Sequence, residues 1–278
     1  MLSDPDIDAV LIMSTHDTHA EIVQKACAAG KQIFCEKPLA MTMEEARAIQ
    51  KAVHESGVQL MVGWWFKHSP VTKRLREVIR QPYYTLFTCR VRRPGPDDRH
   101  GPYGRSGLLD NSGYSIHWIW HVMRSQPVEV FAMGYEGRPT NTSTIVIRFE
   151  NGGVATSVYS TVGTGGILPK HYAEVHAGSM SAATLRFGNL VFEGTHEPGI
   201  EENDYHNGFD EEMGMFARLC LEGGPSPMDA WEACIPTLIF EKAIESMRTR
   251  QPVPVDLSKE FYVPDGELPD SIERFGDA

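Results

Sequence analysis

Residues 9–13 are a continuous apolar run, the pattern of a strand buried on both faces of a parallel sheet. Residues 14–18 form a polar turn. Ala20, Ile22, Val23, Ala26 and Cys27 then recur at helical spacing, and Gly30 stands where a helix-ending glycine belongs. Residues 32–35 read as a second short strand. Thr42 and Glu45 fit a capping box that opens a helix running to Gly57, and residues 60–63 read as a third strand. Residues 7–63 therefore read β-α-β-α-β, which favours a parallel sheet with helices on its faces.

The pattern changes after residue 63. Ser69 and Pro70 suit the N-cap and first position of a helix ending near Arg80. Residues 84–91 alternate like a strand, 93–107 form a long Gly-, Pro- and Arg-rich loop, and 108–123 read as a helix rich in aromatics. Strands are expected at 128–135, 142–149, 154–159, 172–176, 184–187 and 190–193. Asn151-Gly152 and Gly188-Asn189 supply hairpin turns. Helices follow at 209–222 and 229–248, the second expected to kink at Pro236. Residues 250–278 read as a surface tail. The whole is α/β: a partial Rossmann parallel sheet, followed by an α+β domain with a large mostly antiparallel sheet. We place the domains at 1–66 and 67–278. The open sheet has a face that must be covered, so a homodimer or dimer of dimers through that sheet is expected.

Charge and cysteine content narrow the partners. The 278 residues carry a formal charge of -11, which argues against a nucleic-acid groove or an anionic membrane surface. No apolar run reaches the ~20 residues of a membrane span, and residues 1–8 lack the apolar core of a signal peptide. The five cysteines are scattered, with no Cys-x-x-Cys pair, as expected of reduced thiols in a cytoplasmic protein.

The chemistry centres on Glu36-Lys37-Pro38, delivered to the carboxyl end of the strand at 32–35, where open α/β sheets bind ligands. A lysine there can hydrogen-bond a substrate hydroxyl and stabilise negative charge on its oxygen as hydride leaves the carbon. Pro38 stiffens the turn. Alone, the triplet is also what a solvated lysine and a strand-stopping proline look like. It is accompanied by the run from Asp4 to Val10, the turn Ser14-Thr15-His16-Asp17-Thr18-His19, Ala29-Gly30-Lys31, Leu39-Ala40, Val62-Gly63 and His68-Ser69-Pro70. Together these resemble the Gfo/Idh/MocA oxidoreductases, the family of glucose–fructose oxidoreductase and inositol 2-dehydrogenase. The agreement continues more loosely through Phe149-Glu150-Asn151-Gly152-Gly153, the helices after residue 209 and Gln251-Pro252-Val253.

The resemblance implies NAD or NADP as cofactor and a sugar, polyol or similar hydroxyl compound as substrate. It implies that Lys37 is the catalytic lysine and that Glu36 and Pro38 line the nicotinamide side. Ser14, Thr15, His16 and His19 would lie toward the adenosine ribose and pyrophosphate; the two histidines could equally cap the helix that follows. Lys67, His68, Tyr114 and His121 are substrate-side candidates. Trp64, Trp65 and Phe66 could stack on a sugar ring, but core is the reading we favour. Arg90, Arg92, Arg93 and Arg105 flank the long loop and read as a solvated basic face.

Two departures stand out. The family opens with a strand, a Gly-x-Gly-x-x-Gly turn and a helix, which this chain does not contain; roughly sixty residues, about two βα units, would precede Met1. We expect the chain as given to be N-terminally truncated and to bind a dinucleotide weakly or not at all. A non-catalytic binding or dimerisation module is therefore an alternative, and an NAD-retaining glycoside hydrolase another. The second departure concerns the acid–base pair, usually Asp with His four residues on. Counting back from Pro127 without a gap gives Asn111 and Ser115; a small insertion gives Asp110 and His117. A histidine suits the proton transfer and a serine alone does not, so we favour His117 with Asp110 assisting. His117 and His121 share a helical face, but no third ligand is evident and no metal is expected.

Overall fold

The computed structural model of the chain describes residues 1–90, 104–134, 142–160, 171–178, 180–185, 189–194, 199–202, 208–273 and 275; for 104–112, 185, 189, 199–202, 265 and 273 it describes the backbone alone. The first apolar runs become β1 (Ala9–Ile12), β2 (Gln32–Glu36) and β3 (Leu60–Gly63), a parallel sheet in that order with Leu11 beside Phe34 and Cys35 beside Val62. The crossovers are α1 (His19–Ala28) and α2 (Met43–Ser56). At the start of α2, Thr42 Oγ1 accepts the Glu45 N–H at 3.2 Å and Glu45 Oε2 accepts the Met41 N–H at 2.8 Å, so the cap binds at both ends. Gly57, at φ 68°, ends the helix in a conformation that costs other residues about 1 kcal/mol or more. β1 departs from expectation: Leu11 is 48 % exposed, so this edge strand is buried on one face where its apolar run predicts two.

Beyond α3 (Trp65–His68), α4 (Pro70–Val78) opens as its sequence predicts, with Ser69 Oγ accepting the Thr72 N–H at 3.2 Å. β4 (Tyr84–Arg90) and α5 (Gly104–Met123) follow. Then come β5 (Pro127–Gly134), β6 (Thr142–Phe149), β7 (Val154–Ser160), β8 (His171–Ala177), β9 (Met180–Leu185), β10 (Asn189–Gly194) and β11 (Gly199–Glu202). With β12 (Val253–Pro254) they form a nine-stranded sheet ordered β11-β10-β9-β8-β4-β7-β6-β5-β12. β4 runs parallel to β7; the other pairings are antiparallel. One face is buried, through Phe87, Ile145, Ile147, Ala155, Tyr159 and Val175, where α5 lies against β4 and β7. β9 begins earlier than predicted, and β11 and β12 carry no sequence signal that we read.

Last come α6 (Phe209–Glu222), α7 (Ile235–Thr249), α8 (Leu257–Glu260) and α9 (Asp270–Glu273). The chain divides into two compact units: Met1–Trp65, Phe209–Glu241 and Asp256–Ala278 form one, and Phe66–Gly208 with Lys242–Val255 the other. A domain running unbroken from 67 to 278 is therefore not what the chain forms, because α6 returns to pack on β3. Nor is the end of the chain a surface tail: Leu257, Phe261 and Ile272 are buried, and Trp231 Nε1 donates to Tyr262 O at 2.7 Å. Pro236 produces no kink. It is the second residue of α7, where its missing N–H leaves no helical bond unmade.

Candidate active site

The first unit holds the Glu36-Lys37-Pro38 turn. β2 ends at Glu36, whose Oε2 accepts the Lys37 N–H at 3.3 Å; Glu36 and Lys37 are half-buried and Pro38 is buried behind a cis peptide bond. Glu36 Oε1 would stand 3.6 Å from a Cβ built on Gly63, and Phe34 Cζ 3.0 Å from it. A glycine at the end of β3 thus leaves room for the Glu36 carboxylate and the Phe34 ring above the strand.

The turn after β1 is tied to this one. His19 has no exposed surface; its Nδ1 lies 2.9 Å from Pro38 O and its Nε2 3.1 Å from Ser14 O. Both partners are carbonyls and can only accept, so the ring donates to both when doubly protonated and to one when neutral. His19 therefore joins the two turns; Thr18, the N-cap of α1, makes no side-chain cap bond, and its Oγ1 lies 2.6 Å from Ser14 Oγ and 2.7 Å from Thr15 O. Ser14 and Thr15 are exposed and His16 is half-buried, its ring 5.8 Å from that of His19.

One acidic residue that the sequence reading passed over joins this unit's site. Glu212 shares the buried face of α6 with Phe216 and Leu219, at the spacing of a core position, and is 1 % exposed. That spacing is the signal that could have found it. Burial and the neighbouring Glu36 charge push its carboxyl up to about 8, although the Trp64 N–H donates to it.

The second unit holds the α5 residues. Tyr114 is half-buried, its ring 4.8 Å from Phe66, which in turn meets His171 edge-on at 5.2 Å. His117 is 1 % exposed, stacks on His121 at 6.0 Å and lies tilted against Trp120 at 5.9 Å. His121 lies 2.6 Å through Nε2 from Arg76 Nη1, and Arg76 is itself buried. Ser115, the alternative to His117, turns into the sheet: its Oγ is 2.7 Å from Ser157 Oγ on β7. Lys67 and His68 are buried at 6 % and 3 % exposure. Trp64 and Phe66 are core, whereas Trp65 is half-buried with its ring 5.7 Å from Phe209. The side chains of Asp110, Asn111 and Arg105, together with Arg92 and Arg93, lie outside the described residues; Arg90 is exposed at the end of β4. Among the described residues no three His, Cys, Asp or Glu side chains gather as metal donors, and no helix is long and apolar enough to cross a membrane.

A three-stranded parallel β-α-β-α-β sheet with a lysine turn at the carboxyl end of β2, and a second unit built on a large mostly antiparallel sheet, define a two-unit α/β protein with a Rossmann-like sheet. Residues 1–64 match the oxidoreductase family described as an NAD-binding Rossmann fold. The chain thus resembles the Gfo/Idh/MocA family over residues 1–64. It is 32 % identical over 171 residues to the uncharacterized oxidoreductase YrbE of Bacillus subtilis, a match covering 56 % of this chain and 49 % of that protein. It is 23 % identical over 277 residues to the myo-inositol 2-dehydrogenase of Thermotoga maritima, covering 92 % of this chain and 82 % of that one. The solved aldose-aldose oxidoreductase of Caulobacter crescentus, complexed with glycerol, shares the fold at a TM-score of 0.80 and 18 % identity, over 91 % of this chain and 81 % of that one.

Proposed function

We propose that this chain is an NAD(P)-dependent oxidoreductase acting on a sugar, polyol or similar hydroxyl substrate. The observation that carries the reading is the Lys37 turn: a half-buried lysine at the carboxyl end of a parallel strand, anchored through Pro38 to a wholly buried histidine. The family match over residues 1–64 and the names of the relatives support it.

The residues present fit the nicotinamide end of such a cofactor. Glu36 and Pro38 form a wall, Gly63 lets the Glu36 carboxylate and the Phe34 ring pack over β3, and Ser14 to His19 supply hydroxyls and a helix start. Residues 1–64 contain no Gly-x-Gly-x-x-Gly turn for the pyrophosphate. When bound, the cofactor supplies the two-electron acceptor or donor that no side chain here can replace. Lys37 holds the substrate hydroxyl through its ammonium and stabilises charge on the oxygen. By the resemblance, His117 takes the hydroxyl proton, a role that an imidazole can fill, with Asp110 assisting. Tyr114, the more accessible ring on α5, receives the substrate. The same reading includes self-association through the open face of the nine-stranded sheet, where Thr144, Val146, Thr156 and Val158 are half-buried; sedimentation gives the assembly state.

Fluorescence titration with NADH and NADPH, followed by turnover with a panel of polyols, tests the function. Binding at submillimolar cofactor, weaker than a complete glycine turn would give, and turnover abolished by Lys37→Ala with cofactor affinity within about threefold of wild type, is the expected result. No binding at millimolar cofactor sinks the reading for this chain.

A further inference from the structure

Glu212 has a second feature that the reaction as proposed does not use. Its Oε1 is buried without a hydrogen-bond partner among the described residues, in a residue only 1 % exposed. An acidic oxygen left so on the core side of a 14-residue helix is costly, and its position is specific: α6 packs on β3, and Glu36 at the end of β2 is the charged group acting on it. The other titratable groups nearby are few among the described residues. β3 has none between Leu60 and Gly63; β2 adds the Cys35 thiol, which burial pushes up and keeps neutral; on α6, Asp210 is exposed and Glu211 partly so. The Trp64 N–H satisfies one side of the Glu212 carboxyl, leaving the other for a proton.

We propose that Glu212 is a positioning residue for the cofactor, a proton-carrying partner of Glu36 that lets this end of the sheet distinguish an oxidised, cationic nicotinamide from a reduced, neutral one. The inference rests on the function proposed above, which sets the nicotinamide beside Glu36. With Glu212 protonated, the two carboxyls carry one negative charge. Losing that proton adds a second charge in a place poorly screened by water, and a cationic ring beside Glu36 gains from it while a neutral ring does not. Linkage makes the effect reciprocal: binding the oxidised cofactor releases the proton, and binding the reduced one retains it.

The dissociation constants of NAD+ and NADH, and of NADP+ and NADPH, measured from pH 6.5 to 9 on wild type and Glu212→Gln, test this. Glutamine keeps the acceptor for the Trp64 N–H and cannot ionise. The expected result is that the preference for the oxidised form rises about tenfold with pH in wild type and stays flat in Glu212→Gln. In Glu36→Gln, which lacks the neighbouring charge, the rise moves to lower pH; this variant reads the same coupling if Glu212→Gln does not fold. A preference that is flat in wild type, or that rises equally in Glu212→Gln, overturns the inference and leaves the oxidoreductase reading intact. Absence of binding by either cofactor pair at millimolar concentration overturns both.

Discussion

The Nδ1 of His19 lies 2.9 Å from the carbonyl oxygen of Pro38, so a residue of the first turn helps fix the position of the residue that follows Lys37. No water reaches this ring to replace the bond, because His19 is wholly buried. His19→Ala leaves a cavity and strands two carbonyls, and is expected to cost about 2–4 kcal/mol in urea unfolding. Hydrogen exchange in the peptide spanning residues 36–42 should rise more than in α2, which distinguishes a loosened turn from uniform destabilisation.

Gly63→Ala places a methyl 3.0 Å from Phe34 Cζ and 3.6 Å from Glu36 Oε1. The Phe34 ring is held in turn against Phe216 at 5.6 Å, so it has little room to yield. A loss of about 1–3 kcal/mol is expected from this overpacking. Turnover should fall further than stability accounts for, as seen by comparing kcat/KM at temperatures well below the Tm, because Glu36 shifts with the ring.

Stability should depend on pH through Glu212. Its carboxyl is pushed up to about 8 in the folded chain, against an ordinary value of 4.5. The native state thus holds a proton between those values that the unfolded chain has released. Unfolding free energy therefore falls as pH rises from 4.5 to about 8, by up to about 1.4 kcal/mol per unit from this group, and levels off above. Urea midpoints across this range should show a smaller decline in Glu212→Gln than in wild type. Equal slopes would remove Glu212 as the cause.

The end of the chain should matter to the first unit. Phe261 is 4 % exposed, the Tyr262 N–H donates to Gln50 Oε1 at 3.0 Å, and Arg47 Nη1 donates to Glu260 O at 3.0 Å. Phe261→Ala is expected to cost about 3–5 kcal/mol, the usual loss for a buried phenylalanine, measured by denaturant unfolding.

How far these features can be read from the sequence depends on their range. Local signals survive: the Thr42–Glu45 cap, the Ser69-Pro70 helix start and the Asn151-Gly152 hairpin all appear where the residue types place them, because each is decided within a few residues. Features decided at a distance do not. Pro236 reads as a kink only if α7 is assumed to begin at residue 229; it begins at Ile235, after the short 3₁₀ turn Glu232–Cys234. Leu257, Phe261 and Ile272 are too widely spaced among polar residues to announce a core, and their burial follows from segments two hundred residues earlier in the chain, as the Tyr262–Gln50 bond shows. The site divides the same way. Lys37 is legible because strand, turn and proline are contiguous. The settings of His117 and Ser115 are not, since their neighbours His121, Arg76 and Ser157 lie on other turns, helices or strands.

β4 lies at the middle of the nine-stranded sheet, with Tyr84 paired to Val154 on one side and to His176 on the other. The strands beyond it, β5-β6-β7 and β8-β9-β10-β11, follow one another in sequence and can zip up as hairpins by closing short loops. The central strand is made well before either group and must wait for both. Assembly of this unit is therefore paced by one long-range insertion, a topology that folds slowly at equal stability. Until β4 is seated, two half-sheets each expose an unprotected edge, and mutations that delay its seating should raise aggregation on refolding before they lower the melting temperature.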